Sequence, residues 1–199
     1  IVKFFFKIAK ICVTRLKARE ALMKDEETFG FPVDRLFPID EDIGSDTALV
    51  DNVLELLTAF GRDIVEVMMM LVPEPWQDNE HMSPDRRAFY QFLSCGIEPY
   101  DGPALLCFTD GKKFGCTVDR NGLRPGRFYE TDDGLFIVAS EVGVVDVDDS
   151  RIVHKGMLQP GQFVMVDWDK QQLFYDAAIK DEFIKKHPFQ NWVCNMLYV

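Results

Sequence analysis

Residues 104–139 read ALLCFTDGKKFGCTVDRNGLRPGRFYETDDGLFIVA. Four short apolar runs alternate here with turn signals. Ala104–Thr109, Phe114–Val118, Phe128–Thr131 and Leu135–Ala139 read as strands, and Asp110-Gly111, Asn121-Gly122 and Asp133-Gly134 fall between them. The same period continues toward the C-terminus. Arg151–His154, Gln162–Asp167 and Gln172–Phe174 read as strands, with Pro160-Gly161 as a further turn.

The N-terminal half has a different period. Thr14–Lys24 is rich in good helix formers, with Thr14 as a candidate N-cap. Gly30, Pro32, Pro38 and Gly44 punctuate the loop that follows. A helix is expected over Ala48–Phe60, capped by Ser45 or Asp46. Leu49, Val53, Leu56, Leu57 and Phe60 share one face of it, and Gly61 ends it. Two more are expected over Asp63–Leu71, stopped by Pro73 and Pro75, and over Pro84–Ser94. The Met68-Met69-Met70 run at helical spacing is read as core. Helices first and antiparallel strands second give an α+β layered architecture. With no internal repeat, low-complexity tract or clean linker, one domain is the simplest account.

Composition narrows the function. The 199 residues are 47% hydrophobic and 28% charged, an ordinary globular balance. Thirty-three acidic against 22 basic side chains give a net charge of −11. So acidic a surface argues against a nucleic-acid partner, which needs clustered Lys and Arg, and against an anionic membrane. Cys12, Cys95, Cys107, Cys116 and Cys194 are widely spaced with no C-x-x-C pair, so no zinc or iron–sulfur site is signalled within the chain. Reduced thiols in a cytoplasmic protein are expected. The opening IVKFFFKIAKICV (1–13) is apolar and basic but broken by Lys7 and Lys10, has no small-residue cleavage site, and is too short to span a bilayer.

Three constellations are candidates for chemistry. A Cys–His pair is disfavoured, since Cys107 and Cys116 lie inside apolar strands and His81, His154 and His187 carry no local signature. Asp119–Pro125 (DRNGLRP) reads first as a tight hairpin turn with solvated charges, and second as a polar loop near a site. In Gly44-Ser45-Asp46-Thr47, Asp46 is either a helix cap or a carboxylate aimed at a ligand amine, and spacing does not decide.

A set of longer strings goes further: GSDTALVDNVLELL (44–57), PEPW (73–76), EPYDGPALLCFTDG (98–111), DRNGLRPGRF (119–128), ASEVGV (139–144) and KGMLQPG (155–161). In order and spacing these resemble the glutamine-amidotransferase domain of the glutamate synthase family, over roughly Lys17 to Trp192. The resemblance implies a class II, N-terminal-nucleophile hydrolase with a four-layer αββα sandwich, incomplete here at the N-terminus. It implies a mature N-terminal Cys as nucleophile, with its own α-amine as base, and a separate Asn-Gly for the oxyanion.

Residue 1 here is Ile, and Asn121-Gly122 belongs to the DRNGLRP string, so no catalytic residue is assigned and the chain alone is expected to be inactive. Asp46 matches the family residue that binds the α-ammonium of the substrate, glutamine, and is the one substrate-binding assignment. Residues 14–199 are accordingly read as a partial amidotransferase domain and residues 1–13 as non-native to it. The parent enzyme would pass ammonia to 2-oxoglutarate, using flavin mononucleotide and an iron–sulfur cluster in synthase domains outside this chain; no cofactor or metal is assigned within it. Those remaining synthase domains are the expected partners, and a plastid location would follow for a photosynthetic source. Another class II amidotransferase and a non-catalytic relic of the fold are the alternatives.

Overall fold

The computed structural model describes residues 46–95, 99–100 and 102–196. The expected helix at Thr14–Lys24 and loop at 29–43 lie outside them. The described chain forms two compact units, one from residues 46–100 with 184–196 and one from 102–183.

The first unit is helical. Helix α1 (Asp46–Ala59) buries Val50, Val53 and Leu57, one stripe at helical spacing. It ends in a Schellman motif. Gly61 takes φ +84°, its N–H donates to Thr58 O at 2.9 Å, and Arg62 N–H donates to Leu57 O at 3.1 Å. Asp63 then caps α2 (Ile64–Leu71) by accepting Val65 N–H at 3.0 Å. All of α2 except Glu66 is buried, so it is apolar around nearly its whole circumference, and Met68, Met69 and Met70 are core as expected. Helix α3 (Pro84–Ser94) starts at Pro84 under a Ser83 cap. It packs its Phe89 and Phe92 against Phe189 and Trp192 of α5 (Phe189–Met196), with ring centroids 5.1–5.3 Å apart.

The second unit is a pair of antiparallel sheets. Its strands are Leu105–Thr109 (β1), Lys113–Val118 (β2), Gly126–Thr131 (β3), Phe136–Ala139 (β4), Ile152–Leu158 (β5), Phe163–Asp167 (β6) and Gln172–Tyr175 (β7). One sheet runs β1-β2-β6-β7 and the other β4-β3-β5. Helix α4 (Asp176–Ile184) follows β7 directly. The Gly-containing turns fall where expected, with Gly111, Gly134 and Gly161 all at positive φ.

Registers Leu105↔Val118, Cys107↔Cys116, Cys116↔Val164 and Val164↔Tyr175 set these residues on one face of the larger sheet. That face meets Phe128 and Leu158 of the smaller sheet in a shared core of Cys116, Val118, Phe128, Leu158 and Val164. Burying each such side chain contributes about 1.5–3 kcal/mol. At one margin Tyr175 of β7 bridges the sheets. Its hydroxyl donates to Glu130 Oε2 at 3.0 Å and lies 2.7 Å from His154 Nδ1. Burial first, and the Glu130 carboxylate second, push the phenol up to about 12. The opposite face of the larger sheet carries Phe108, Thr117, Phe163 and Met165, all buried. Helix α4 lies on that side, with Lys180 Nζ 5.8 Å from the centre of the Phe163 ring.

Each sheet sets a phenylalanine ring over a glycine on the neighbouring strand. Phe108 is paired with Gly115 and Phe128 with Gly156. A Cβ added at Gly115 would lie 2.3 Å from Phe108 Cζ, and one at Gly156 would lie 2.6 Å from Phe128 Cζ. Both rings are buried, so neither can swing aside freely. Gly115→Ala is therefore expected to destabilise the chain by about 1–3 kcal/mol, the usual range for overpacking a filled core. Phe108→Leu in the same chain should recover part of that loss. Denaturation midpoints of the two single variants and the double variant measure it, and additive losses would show that the ring is not the obstacle.

Candidate functional site

Strand β2 ends at Val118, and the next side chain organises everything that follows. Asp119 is 1% exposed, and its carboxylate accepts four backbone N–H groups. Oδ1 takes those of Ala104 at 3.2 Å and Arg124 at 3.0 Å; Oδ2 takes those of Asn121 at 3.1 Å and Leu123 at 3.0 Å. Asp119 N–H also donates to Ala104 O at 2.9 Å, so the residue prolongs the β1–β2 ladder while its side chain gathers the loop. Pro125, which has no N–H to offer, closes the run before β3. Burial alone would raise this carboxyl. The N–H groups of Arg124, Leu123, Ala104 and Asn121 together outweigh it and hold the group below the ordinary carboxylate range.

The DRNGLRP string is thus a tight turn, with Gly122 N–H donating to Asp119 O at 2.9 Å, but it is not a hairpin. The strands it joins, β2 and β3, lie in different sheets and do not pair. Among the described residues Gly122 has positive φ (+66°) and Asn121 does not, so the two-residue I′ turn suggested by Asn-Gly does not form. The Asp119 carboxylate is the physical reason, because it binds donors on both sides of the turn and curls the chain out of the first sheet. The reading of these charges as solvated is corrected for Asp119; Asn121, Leu123 and Arg124 are exposed.

The LQPG string comes to the same place. Gln162 N–H donates to Gln159 O at 2.9 Å, and Gly161 has φ +67°, a turn with Pro at its second position and Gly at its third. A Cβ at Gly122 would lie 2.8 Å from Pro160 Cγ, so the two loops touch where a larger residue would not fit. Beneath them Lys180 is fully buried. Its Nζ donates to Gly161 O at 2.8 Å and pairs with Asp176 Oδ1 at 2.6 Å. Asp176 Oδ1 also accepts Phe163 N–H at 3.0 Å, and Thr117 Oγ1 donates to Gln162 O at 2.9 Å. A buried ammonium is tolerable because a carboxylate and a carbonyl both face it. In the sequence Lys180 and Asp176 are marked by no more than their i,i+4 spacing at a helix start.

The remaining strings are placed separately. Asp46 is the first residue of α1, a helix N-terminus as expected, and belongs to the helical unit. In PEPW, Glu74 takes a bidentate pair from Arg86, and Trp76 O accepts from Arg87. ASEVGV leaves the end of β4 as an exposed loop, with Val142 and Val144 64% and 65% exposed and Gly143 at φ +81°. Chemically, the Asp119 carboxylate is saturated with donors and held ionised, so it shapes the loop and does not shuttle protons. Among the described residues no group of three or more His, Cys, Asp or Glu converges as a metal site would require, and no helix is long and apolar enough to cross a membrane.

Comparison with known proteins locates this arrangement. The family profile described as "Glutamine amidotransferases class-II" matches residues 11–192. The chain is 40% identical over 178 residues to the glutamate synthase [NADPH] large chain of Bacillus subtilis (strain 168), covering 89% of this chain and 12% of that one. It is 45% identical over 179 residues to the glutamate synthase [NADH] of Schizosaccharomyces pombe, covering 89% of this chain and 8% of the relative. It is also 41% identical over 179 residues to the ferredoxin-dependent glutamate synthase of Antithamnion sp., with coverages of 89% and 12%. The chain therefore spans about a tenth of the length of the relatives it matches.

Asp119 offers a direct test of how the loops are held. Asp119→Ala strands four donors and should cost at least about 3 kcal/mol, at roughly 1–3 kcal/mol for each uncompensated buried group. Asp119→Asn keeps one acceptor oxygen but turns an NH2 toward two N–H donors, and should cost about 2 kcal/mol. Because the folded-state carboxyl is depressed, its stabilisation is present above the ordinary value of about 3.9 and is lost as pH falls through the lower folded value. Urea unfolding between neutral and acid pH should show the wild type converging on Asp119→Asn at the acid end. A pH-independent gap would count against the assignment.

Proposed function

Because the chain belongs to the class-II glutamine amidotransferases, we propose that it forms part of the glutaminase half of a glutamate synthase, which releases ammonia from glutamine for transfer to 2-oxoglutarate. The observation that carries this reading is the family match over residues 11–192, together with relatives that bear the glutamate synthase name at 40–45% identity. Those names also favour it over another class-II amidotransferase. They include NADPH, NADH and ferredoxin forms at comparable identity, so the electron donor is not read from this chain.

In this reading the two facing sheets are the inner layers of an αββα sandwich. Support comes from α4 on the outside of the larger sheet, and from Val153 and Met157, which are 63% and 49% exposed on the outer side of the smaller one, where a fourth layer would lie. Residues 14–199 are proposed as the amidotransferase part and 1–13 as foreign to it. No residue of this chain is proposed as the nucleophile. An iron–sulfur cluster needs four converging thiolates. Among the described residues no three Cys, His, Asp or Glu side chains converge, so these residues do not fit a cluster. Flavin and cluster are accordingly assigned to synthase domains outside the chain.

Asp46 is proposed to receive the α-ammonium of glutamine. A charge-assisted hydrogen bond of this kind contributes on the order of 1.5–3 kcal/mol. Asp46→Asn, assayed in a protein that joins this chain to a segment carrying the N-terminal cysteine, should raise KM for glutamine roughly tenfold to a hundredfold. Synthesis from free ammonia should be unchanged, since ammonia bypasses the pocket. An unaltered glutamine KM with a lowered melting temperature would assign Asp46 to helix capping instead.

A further inference from the structure

Cys107 on β1 and Cys116 on β2 are directly cross-strand, and their Sγ atoms are 3.2 Å apart. The parity of the ladder sharpens this. Asp119 N–H bonds to Ala104 O and Asp110 N–H bonds to Lys113 O, so the even positions of β1 are the hydrogen-bonded ones. Cys107 and Cys116 therefore occupy a non-hydrogen-bonded pair, where side chains approach most closely and Cα atoms stand about 4.5 Å apart. That lies within the span a disulfide accepts, about 4.4–6.8 Å.

Access is asymmetric. Cys107 is exposed, on a strand that is at the sheet edge among the described residues, whereas Cys116 is fully buried in the inter-sheet core. We propose that Cys107 and Cys116 are a dithiol site that closes to a disulfide by exchange with a small-molecule disulfide, Cys107 attacking and Cys116 resolving. The Cys107 thiolate displaces one thiol from the reagent and forms a mixed disulfide. Cys116 then attacks Cys107 Sγ, its proton passing to the departing thiolate, and the second thiol is released. Two protein thiols are oxidised, one external disulfide is reduced to two thiols, and no other reactant is needed.

The direction of attack has a cause. The Cys116 S–H donates to Cys107 Sγ, which draws the Cys107 thiol down to about 7 against opposing burial, and raises that of Cys116. The exposed sulfur is thus the nucleophilic one. The groups facing the pair leave this assignment intact: Phe114 and Val118 flank Cys116 along its own strand, Leu105 and Thr109 flank Cys107, and Val164 faces Cys116 from β6. The bond would brace the hairpin whose last residue is Asp119, and so would bear on the loop that this carboxylate holds.

The experiment uses glutathione disulfide on the folded 199-residue chain at neutral pH. The expected product has lost two hydrogen atoms by intact mass and retains no glutathione. Trypsin cuts after Arg87, Lys112, Lys113 and Arg120, so the bond joins peptide 88–112, which also carries Cys95, to peptide 114–120, and fragmentation of 88–112 assigns it to Cys107. Cys116→Ser should arrest the reaction at a glutathione adduct on Cys107, and Cys107→Ser should form neither. Alkylation of Cys107 should reach half its maximal rate near pH 7 and shift upward in Cys116→Ala. A lasting glutathione adduct on Cys107 in the wild type, a bond to Cys95 or Cys194 instead, or no reaction under conditions that modify the unfolded chain would each overturn the proposal. The wild-type result decides the matter even if a variant fails to fold.

Discussion

The second unit depends on one buried carboxylate. Asp119 sits where the chain must leave one sheet and enter the other, and a chain making that passage normally strands backbone donors in a dry place. Four N–H groups at 3.0–3.2 Å meet a single side chain instead. The arrangement satisfies both sides at once. An isolated buried carboxylate would be expensive, and four isolated buried amides would be too, but together they remove each other's cost.

The same logic, with opposite sign, governs the neighbouring turn. Lys180 supplies a buried cation whose partners are the Gly161 carbonyl and the Asp176 carboxylate. Asp176 in turn accepts Phe163 N–H at the start of β6. One loop is therefore held by an anion that collects donors and the other by a cation that collects acceptors, and they meet where Gly122 lies against Pro160. Both hubs are engaged by backbone groups. Their charges are consumed in fixing backbone, which is what a site carried on loops requires if the loops are to be rigid. The exposed Asn121, Leu123 and Arg124 then project from a frame that cannot easily rearrange.

Much of this frame was legible in the sequence. Each of the seven strands was located, because apolar runs bounded by Asp-Gly, Asn-Gly and Pro-Gly leave few alternatives. Three helices were also placed, Pro84–Ser94 to the residue, because caps and prolines mark their ends. The errors share a cause. The strand expected over Arg151–His154 in fact runs Ile152–Leu158, since Lys155-Gly156 looks like a break until the Phe128 ring is seen to fill the place of the missing side chain. Asn121-Gly122 looked like a hairpin because its local preference was read without Asp119. Helices α4 and α5 escape the local pattern: α4 hides its amphipathic signal by burying a lysine, and α5 is only eight residues long. Local pattern locates elements. It does not show when a charged residue is the core.

The proposed binding role of Asp46 rests on different physics from that of Asp119, and the two carboxylates illustrate the distinction. Asp119 is saturated by backbone donors and has no remaining capacity to recognise a ligand. Asp46 stands at the first residue of a 14-residue helix. The positive end of a helix attracts a nearby anion by about 0.3–1 kcal/mol. That same end repels an incoming ammonium by a comparable amount, so the field of the helix gives little net attraction for glutamine. Binding through Asp46 must come from direct, charge-assisted contact, which is short-ranged and demands correct placement. On this reading the scaffold and the recognition residue divide the work. The buried hubs hold loops in position at a cost that folding has already met, and recognition is left to a carboxylate that a cation meets only at contact distance.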